Sequence, residues 1–249
     1  MSAKISIVIP AYNESKTIKT LLGKVLKINF PYNAQKEIII VNDCSKDNTG
    51  EIINDISKKN KIVKAIHNEM NLGKSQSVKK GILNTTGDYV VIQDADLEYD
   101  PKDLIEMFRN IHDDNLDVVY GNRFGKNNKV IYWKNYIGNR GLSAFSNIFT
   151  FPRIKKFIPD MEVCYKLIKG KYVRDIAQTL VSKSNFGFEP EITAKLSKYK
   201  TENKKHLKFA VFPISYSPRT IEEGKSMRAF HDGFKAFREI LRFNLTKGN

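Results

Sequence analysis

The sequence predicts an α/β protein built on a doubly wound, mostly parallel β-sheet. Short apolar runs alternate with amphipathic stretches, strand then helix, four times within about 115 residues. Each of these apolar runs ends in a polar loop, and parallel strands joined in this way require right-handed crossovers. The length of 249 residues fits one large α/β domain or two small ones. In such sheets, ligands bind outside the carboxyl ends of the strands, so we expect function at the strand tips.

Residues 5–10 are predicted as the first strand, and the predicted helix over 15–26 carries an apolar stripe. That stripe consists of Ile18, Leu21, Leu22 and Val25. The next predicted strands cover 37–41, 62–67 and 89–92, with a helix ending near residue 83 before the last of them. Two later apolar runs, 118–120 and 209–214, are predicted as further strands.

The fourth strand ends at a run of acids that predicts a cation site. Asp94 and Asp96 follow residues 89–92 closely, and Glu98 comes next. Two aspartates one residue apart at a strand end can hold a hard divalent cation, Mg²⁺ or Mn²⁺. Because such a cation binds through one or two carboxylates and the phosphates of a substrate, a nucleotide diphosphate is its natural partner. The alternative is an acidic turn that caps the following helix.

The composition is that of an ordinary globular protein with an excess of positive charge. Hydrophobic residues make up 41% and charged residues 28%, and no run approaches the roughly 18 apolar residues of a membrane span. The amino terminus lacks the pattern of a signal peptide, so we expect cytosolic synthesis. Cys44 and Cys164 lack metal-ligand spacing, which predicts reduced thiols. The net charge of +15 favours an anionic partner such as a nucleotide, a phospholipid or a nucleic acid.

Two familiar phosphate-binding loops are absent from the sequence. No Gly-x-Gly-x-x-Gly follows the first strand, which excludes a dinucleotide dehydrogenase of that type. The segment Gly73-Lys74-Ser75 lacks the upstream glycine of a P-loop, because position 68 is Asn. A P-loop ATPase is therefore excluded as well.

Five blocks occur in the order found in one enzyme family: IPAYNE (9–14), VNDCSKDNT (41–49), NLGKSQSVKKGI (71–82), GDYVVIQDADLEYDP (87–101) and GNRF (121–124). In these blocks the chain resembles family 2 glycosyltransferases with the GT-A fold. Three later blocks look like the polyprenyl-phosphate branch, similar to dolichyl-phosphate mannose and glucose synthases: DMEVCYK (160–166), FGFEPEITAKL (186–196) and SYSPRTIEEGKSM (215–227). The resemblance covers most of the chain.

The resemblance implies a nucleotide pocket built from eight residues: Pro10, Tyr12, Glu14, Val41, Asp43, Asp94, Ala95 and Asp96. In such enzymes Asp43 faces the nucleobase, and Asp94 and Asp96 face the ribose and the metal-bound diphosphate. The implied cofactor is Mg²⁺ or Mn²⁺, with Asp94, Asp96 and Glu98 as ligands. One departure concerns Cys44, which stands where the family motif Asp-Asp-Gly-Ser has glycine. The turn geometry that glycine normally provides is an open question at this position.

The resemblance also implies four catalytic residues: Asp160, Arg123, Arg219 and Lys225. The three cations would bind phosphates of donor and acceptor, so we expect their removal to reduce catalysis more than stability. Asp160 matches the catalytic carboxylate. A phosphate acceptor is already ionised near neutral pH, however, and needs positioning more than deprotonation. Glu189 and Glu191 are further acidic candidates, with ordinary first-turn helix acids as the alternative.

Two segments, residues 131–157 and 227–245, interleave aromatic with basic residues. This pattern suits a membrane interface or the stacking of nucleic-acid bases, and a core helix is the alternative. We interpret residues 1–226 as a catalytic domain and 227–249 as a carboxyl-terminal amphipathic helix on a membrane surface. Together the two segments predict a monotopic enzyme on anionic lipid.

The leading functional hypothesis is an inverting glycosyltransferase that moves a hexose from a nucleotide sugar to a polyprenyl or dolichyl phosphate. UDP-glucose is the favoured donor and GDP-mannose the alternative. The expected location is cytoplasmic, peripheral on the cytosolic membrane face. A second hypothesis keeps the fold but transfers the sugar to a soluble glycan or protein. A third, a basic nucleic-acid-binding protein, lacks any recognisable nucleic-acid module, so no nucleic-acid partner is expected.

Overall fold

A computed structural model describes residues 2–183, 187–220 and 229–246 of the chain. Strands and helices alternate along most of this length, as the sequence pattern predicts. The strands are β1 (Lys4–Ala11), β2 (Gln35–Asn42), β3 (Val63–His67), β4 (Tyr89–Ile92), β5 (Val118–Asn122), β6 (Lys166–Lys169) and β7 (Phe209–Pro213). The helices are α1 (Ile18–Lys27), α2 (Thr49–Lys59), α3 (Lys74–Leu83), α4 (Asp103–Asp113), α5 (Trp133–Ile154), α6 (Gly170–Thr179), α7 (Phe188–Lys198) and α8 (Ala229–Leu245).

The strands form one sheet in the order β3-β2-β1-β4-β6-β5-β7. All neighbouring pairs are parallel except those of β6, which runs antiparallel to both β4 and β5. The predicted α/β fold with a mostly parallel sheet is confirmed. The sequence did not reveal β6, because its four residues, KLIK, carry too little apolar pattern to mark a strand.

Several predicted boundaries shift by a few residues. The first helix begins at Ile18 rather than at residue 15, because the carbonyl of Glu14 accepts hydrogen bonds from the amides of Thr17 and Ile18 and closes a turn there. Its predicted stripe of Ile18, Leu21, Leu22 and Val25 is fully buried. The second strand is longer than predicted because its first residues pair with β1 although they are polar.

The helix α3 packs unusually close to the sheet. A Cβ atom at Gly81 would lie 2.4 Å from Cγ1 of Val8 on β1, a distance that side chains do not tolerate. Glycine at this position therefore lets α3 approach the sheet directly. The amino-terminal end of the same helix places Lys74 beside the tip of β4.

Glu37 ties three strands together at the end of the sheet opposite the strand tips. Its carboxylate accepts hydrogen bonds from Ser6 Oγ at 2.6 Å and from the amide and hydroxyl of Thr86 at 2.6 and 2.9 Å, and it pairs with Lys4 Nζ at 2.7 Å. Burial acts to raise its pKa, but these four interactions lower the pKa of Glu37 to about 2.

The helices α5, α7 and α8 pack against one another beside the sheet. In α5 the buried face is largely polar: Ser143, Ser146, Asn147 and Thr150, with Ile154. The side chain of Asn147 donates to the carbonyl of Ile158 and accepts from its amide. The hydroxyl of Ser143 accepts from the amide of Met161. These bonds fix the segment that carries Asp160 and Glu162. Within the described ranges, no helix has both the length and the hydropathy that a membrane crossing requires.

Candidate active site

A cavity of about 750 Å³ opens at the carboxyl ends of β1, β2 and β4. Ten of the predicted site residues line it: Pro10, Tyr12, Glu14, Asp43, Asp94, Ala95, Asp96, Glu98, Arg123 and Arg219. They come from five separate segments of the sequence. The fold therefore brings together residues that lie up to about two hundred positions apart, at the strand tips where the crossover rule places a ligand. The volume lies in the range usual for small-molecule sites.

The loops that follow β1 and β2 are held together by hydrogen bonds. The amide of Asn13 donates to Ser45 Oγ at 3.0 Å, and the Asn13 side chain accepts from the amide of Lys46 at 2.8 Å. The amide of Glu14 donates to Thr49 Oγ1 at 2.8 Å. Tyr12 stands between these contacts with its side chain exposed at the cavity. An aromatic face on a fixed loop is suited to a planar ligand group.

Asp43 organises the next loop. Its carboxylate accepts hydrogen bonds from Asn68 Nδ2 at 2.7 Å, from the amide of Leu72 at 2.9 Å and from the amide of Gly73 at 2.8 Å. Cys44 adopts the left-handed backbone conformation, with φ of 58°. The turn that glycine provides elsewhere in the family motif is therefore kept here by a cysteine, at an energetic cost.

The acids at the tip of β4 are paired with cations. Lys74 Nζ contacts Asp94 Oδ1 at 2.9 Å, and Arg219 Nη2 donates to Asp96 Oδ2 at 3.1 Å. Burial and the charges of Asp94 and Glu98 raise the pKa of Asp96 to about 7. A group of acids that resists ionisation in this way is one that an added cation would stabilise.

Glu98 is engaged differently from the two aspartates. Its carboxylate accepts hydrogen bonds from Tyr216 Oη at 2.7 Å and from the amide of Arg219 at 2.9 Å. Glu98 thus fastens Tyr216 and Arg219 beside the tip of β4, and its role as a metal ligand stays a prediction. Among the residues that the structure describes, no three acidic, histidine or cysteine side chains converge as a preformed metal cage. Asp94 and Asp96 still fit Mg²⁺ or Mn²⁺, because such a cation needs only one or two carboxylates beside substrate phosphates.

Arg123 and Asp160 form a buried ion pair. Asp160 is fully buried and accepts from Arg123 Nε and Nη2 at 2.7 Å each, and from the Arg123 amide at 3.1 Å. Both oxygens of the carboxylate are occupied, and Asp160 does not line the cavity. In this structure Asp160 therefore holds Arg123 in place, and its predicted catalytic role stays a prediction. Val41 is likewise buried inside β2, outside the cavity.

The two remaining acidic candidates have different surroundings. Glu189 lines the cavity, and its Oε1 lies 3.2 Å from Lys74 Nζ. Glu191 lies outside it and accepts hydrogen bonds from the amides of Val181 and Ser182 at 2.9 and 2.8 Å. Glu189 is thus placed for a role in the site, whereas Glu191 has a structural role.

Sequence reasoning missed Lys74 and Glu162. Although burial acts in the opposite direction, the charges of Asp94 and Glu189 hold the pKa of Lys74 well above its usual value. Glu162 lines the cavity, and burial together with the charge of Glu189 raises its pKa to about 8. The available signal was their position in the blocks NLGKSQSVKKGI and DMEVCYK that carry the resemblance, and in the second block Asp160 was the candidate chosen.

Lys225, the fourth predicted catalytic residue, lies outside the described residues, as do 221–228 around it. The carboxyl-terminal helix is described from Ala229 and packs on the protein. Ala236, Ile240 and Phe243 are buried, and the ring of Phe237 stacks on Phe145 at 4.5 Å. Part of its apolar surface is therefore used in packing against the rest of the protein, while Phe234 and Leu245 are 64% and 67% exposed.

The fold and the cavity, with acids at the tip of a central strand, define a nucleotide-sugar type of glycosyltransferase architecture. The family described as "Glycosyl transferase family 2" matches residues 6–176, and the chain belongs to this family. The resemblance noted from the sequence blocks is thereby confirmed at the level of the family.

Two relatives illustrate the range of similarity. An uncharacterized protein of Methanocaldococcus jannaschii, MJ0544, is 30% identical over 177 residues, which cover 68% of this chain and 73% of the relative. A poly-beta-1,6-N-acetyl-D-glucosamine synthase of Staphylococcus epidermidis is 40% identical over 133 residues, 52% of this chain. The match spans only 31% of the length of that synthase.

Two solved structures share the fold. The glucosyl-3-phosphoglycerate synthase of Mycobacterium tuberculosis, crystallised with Mn²⁺, UDP and glucosyl-3-phosphoglycerate, has a TM-score of 0.66 at 14% identity and covers 99% of this chain and 82% of its own. The S. aureus TarS fragment 1–349 with UDP-GlcNAc has a TM-score of 0.59 at 19% identity, covering 96% and 66% respectively. At these identities the likeness establishes the GT-A type of fold.

Proposed function

We propose that the chain is a metal-dependent, inverting glycosyltransferase that moves a hexose from a nucleotide sugar to a polyprenyl phosphate, with UDP-glucose as the favoured donor. The requirement for a metal and the nucleotide-sugar donor are supported by the acid pair Asp94 and Asp96 at the cavity, where the pKa of Asp96 is raised to about 7. Such a site gains from a divalent cation and the diphosphate that the cation binds. The solved relative with Mn²⁺ and UDP supports this choice of ligands.

Each part of the cavity has a task in this proposal. Tyr12 and Asp43 border the nucleotide end, and Asp94 and Asp96 would hold Mg²⁺ or Mn²⁺ beside the diphosphate. When bound, the cation supplies Lewis-acid stabilisation of the departing nucleoside diphosphate. Arg219, on the segment that covers the cavity, adds a guanidinium suited to phosphate oxygens.

The acceptor is assigned as a phosphate for two reasons. Arg123 and Arg219 line the cavity, and guanidinium groups bind phosphates through paired hydrogen bonds. Asp160, the candidate for a general base, is fully buried and occupied by Arg123. A phosphate oxygen is ionised near neutral pH and attacks the sugar carbon without a base, provided that it is positioned.

The lipid part of the proposal rests on the outer face of α5. Trp133, Ile137, Ile148 and Phe151 are 63%, 58%, 65% and 46% exposed along this helix, while its buried face is largely polar. Most residues between 129 and 139 line the cavity, and they include lysines at 129 and 134, while Trp133 and Ile137 lie outside the cavity lining. An exposed apolar stripe with lysines near one end suits the surface of an anionic membrane, at the side where a lipid acceptor would enter. We therefore propose a peripheral position on the cytosolic membrane face.

Membrane binding is tested with vesicles of neutral lipid and of neutral lipid containing phosphatidylserine. The double variant Ile137→Ser, Ile148→Ser should sediment less with anionic vesicles than the parent protein does, and salt should release the parent. Val181→Ser is the matched control, because Val181 is 55% exposed on another part of the surface. Equal sedimentation of all three proteins would contradict a membrane role for α5.

A soluble acceptor is the second candidate function. It is favoured by the solved relative whose complexes contain glucosyl-3-phosphoglycerate and phosphoglyceric acid, both of which are small phosphorylated molecules. Donor hydrolysis measured over a panel of UDP- and GDP-sugars, with Mn²⁺ and with excess chelator, tests the shared donor chemistry first. Cation-dependent hydrolysis of one donor is the expected result, and no hydrolysis of any donor would overturn the proposed function.

A further inference from the structure

One part of the cavity contains a group of ionisable side chains that have no assigned role in binding the metal or the phosphates. Glu162 and Glu189 line the cavity there, and Lys74 Nζ lies 3.2 Å from Glu189 Oε1. Lys166 is fully buried behind them, donates to the carbonyl of Val163, and interacts electrostatically with both glutamates. Two carboxyl groups and two amines thus lie together at this place.

Glu162 is the member of the group with spare binding capacity. Its Oε1 atom is buried and has no hydrogen-bond partner among the residues that the structure describes. A buried polar atom without a partner is unfavourable, so a ligand that supplies a hydrogen bond here gains binding free energy. Burial and the charge of Glu189 raise the pKa of Glu162 to about 8, so that near neutral pH the carboxyl both donates and accepts.

The surroundings select the charge of this ligand. A cation would meet the ammonium group of Lys74, and an anion would meet the carboxylate of Glu189, so a charged group gains little in either case. A neutral group that offers hydroxyls satisfies Oε1 of Glu162 and leaves the pair of Lys74 and Glu189 intact. Sugar hydroxyls have this chemistry, since each hydroxyl is both a donor and an acceptor.

The position of Glu162 and Glu189 in the cavity indicates that they would meet the sugar of the donor. One ammonium group, that of Lys74, contacts both Asp94 at 2.9 Å and Glu189 at 3.2 Å. Glu189 therefore lies beside Asp94, the acid that the proposed function assigns to the diphosphate, and Glu162 lies close enough to Glu189 to interact with its charge. In a nucleotide sugar the hexose is attached to that diphosphate. We propose that Glu162 and Glu189 bind hydroxyl groups of the transferred hexose and so contribute to the choice of sugar. This assignment rests on the proposed function for the donor.

The test compares the binding of a nucleotide diphosphate with that of its sugar derivative, measured by titration calorimetry in Mn²⁺. The probes are UDP with UDP-glucose, and GDP with GDP-mannose. Glu162→Ala should weaken binding of the accepted nucleotide sugar about tenfold and leave binding of the matching diphosphate unchanged. Glu189→Gln should show the same selective loss, and it carries the test if Glu162→Ala does not fold. Glu191→Gln, on the same helix but outside the cavity, is the control and should bind both ligands like the parent.

Three results would overturn the assignment. Equal losses for diphosphate and nucleotide sugar would mean general damage to the site, and unchanged binding of both in the two variants would mean that the glutamates touch neither. Unchanged donor binding with a raised KM for the acceptor would assign the hydroxyl contact to the acceptor. Failure of the parent protein to bind either pair of ligands would instead refute the proposed function itself.

Discussion

Replacing Asp160 by Asn tests whether this acid is structural or catalytic. The Asp160 carboxylate is fully buried, and all three of its hydrogen bonds come from Arg123. An amide keeps one acceptor oxygen but turns an NH₂ group toward the guanidinium, which leaves a buried cation without its counter-charge. Breaking a buried pair from one side costs about 3–5 kcal/mol. Because Asn preserves part of the geometry, we expect a loss of about 3 kcal/mol in the free energy of unfolding.

The assay is urea denaturation with linear extrapolation, applied to the parent, Asp160→Asn, Arg123→Met and the double variant. The double variant should lose less than the sum of the single losses, because it buries no unpaired charge. Arg109→Met is the control, since Arg109 and its partner Glu106 are each 50% exposed, and it should cost at most about 1 kcal/mol. A loss below about 1 kcal/mol in Asp160→Asn, together with loss of transfer, would refute the structural role. For Arg123, the buried pair revises the expectation that removal reduces catalysis more than stability.

Three further predictions address the acid pair, the sheet and the turn after β2. Asp96→Asn should reduce sugar transfer at least about a hundredfold while changing the free energy of unfolding by less than about 1 kcal/mol, because it removes a carboxylate whose charge is already unfavourable; full activity would contradict the cation site. Glu37→Gln should lower the free energy of unfolding by about 1–2 kcal/mol at pH 7. Because the pKa of Glu37 is lowered on folding, this difference in stability should fade as the pH drops from 4.5 toward 2. Urea denaturation across this pH range measures it, with the exposed Glu51→Gln as the control. A difference independent of pH would contradict the assignment. Cys44→Gly should raise the stability by about 0.5–1 kcal/mol in thermal unfolding, because glycine adopts the left-handed conformation without strain; a lower melting temperature would show that the thiol contributes more than the strain costs.

Much of the fold followed from the sequence because its pattern is local. The buried strands β1, β2 and β4 are runs of apolar residues, and their polar loops mark the strand tips where the cavity forms. The antiparallel strand β6 was not predictable in this way. It is placed between β4 and β5 by pairing with both neighbours, a tertiary effect that leaves little periodicity in four residues.

The candidate site was predictable where residue type and strand position coincide, as at Asp94 and Asp96. It was not predictable where the partner decides the role. Asp160 differs from a cavity acid only because Arg123 occupies both of its oxygens, and the sequence does not show that contact. Glu189 and Glu191 have different contacts because residues two positions apart on a helix lie on different faces of it. The buried polar face of α5 likewise depends on tertiary contacts, because the side chain of Asn147 hydrogen-bonds the backbone of Ile158, outside the helix.

The proposed transfer to a phosphorylated lipid is tested by measuring transfer of labelled hexose from UDP-glucose and from GDP-mannose to polyprenyl phosphate and to the corresponding uncharged polyprenol, in Mn²⁺ and in excess chelator. We expect a labelled lipid from one donor, only with the phosphorylated acceptor and only with the cation. We also expect Arg219→Ala and Lys225→Ala to reduce this transfer about tenfold to a hundredfold, since each removes a charge-assisted hydrogen bond. Equal transfer to the phosphate and the alcohol, with both variants as active as the parent, would contradict the phosphate-acceptor assignment and favour the soluble acceptor.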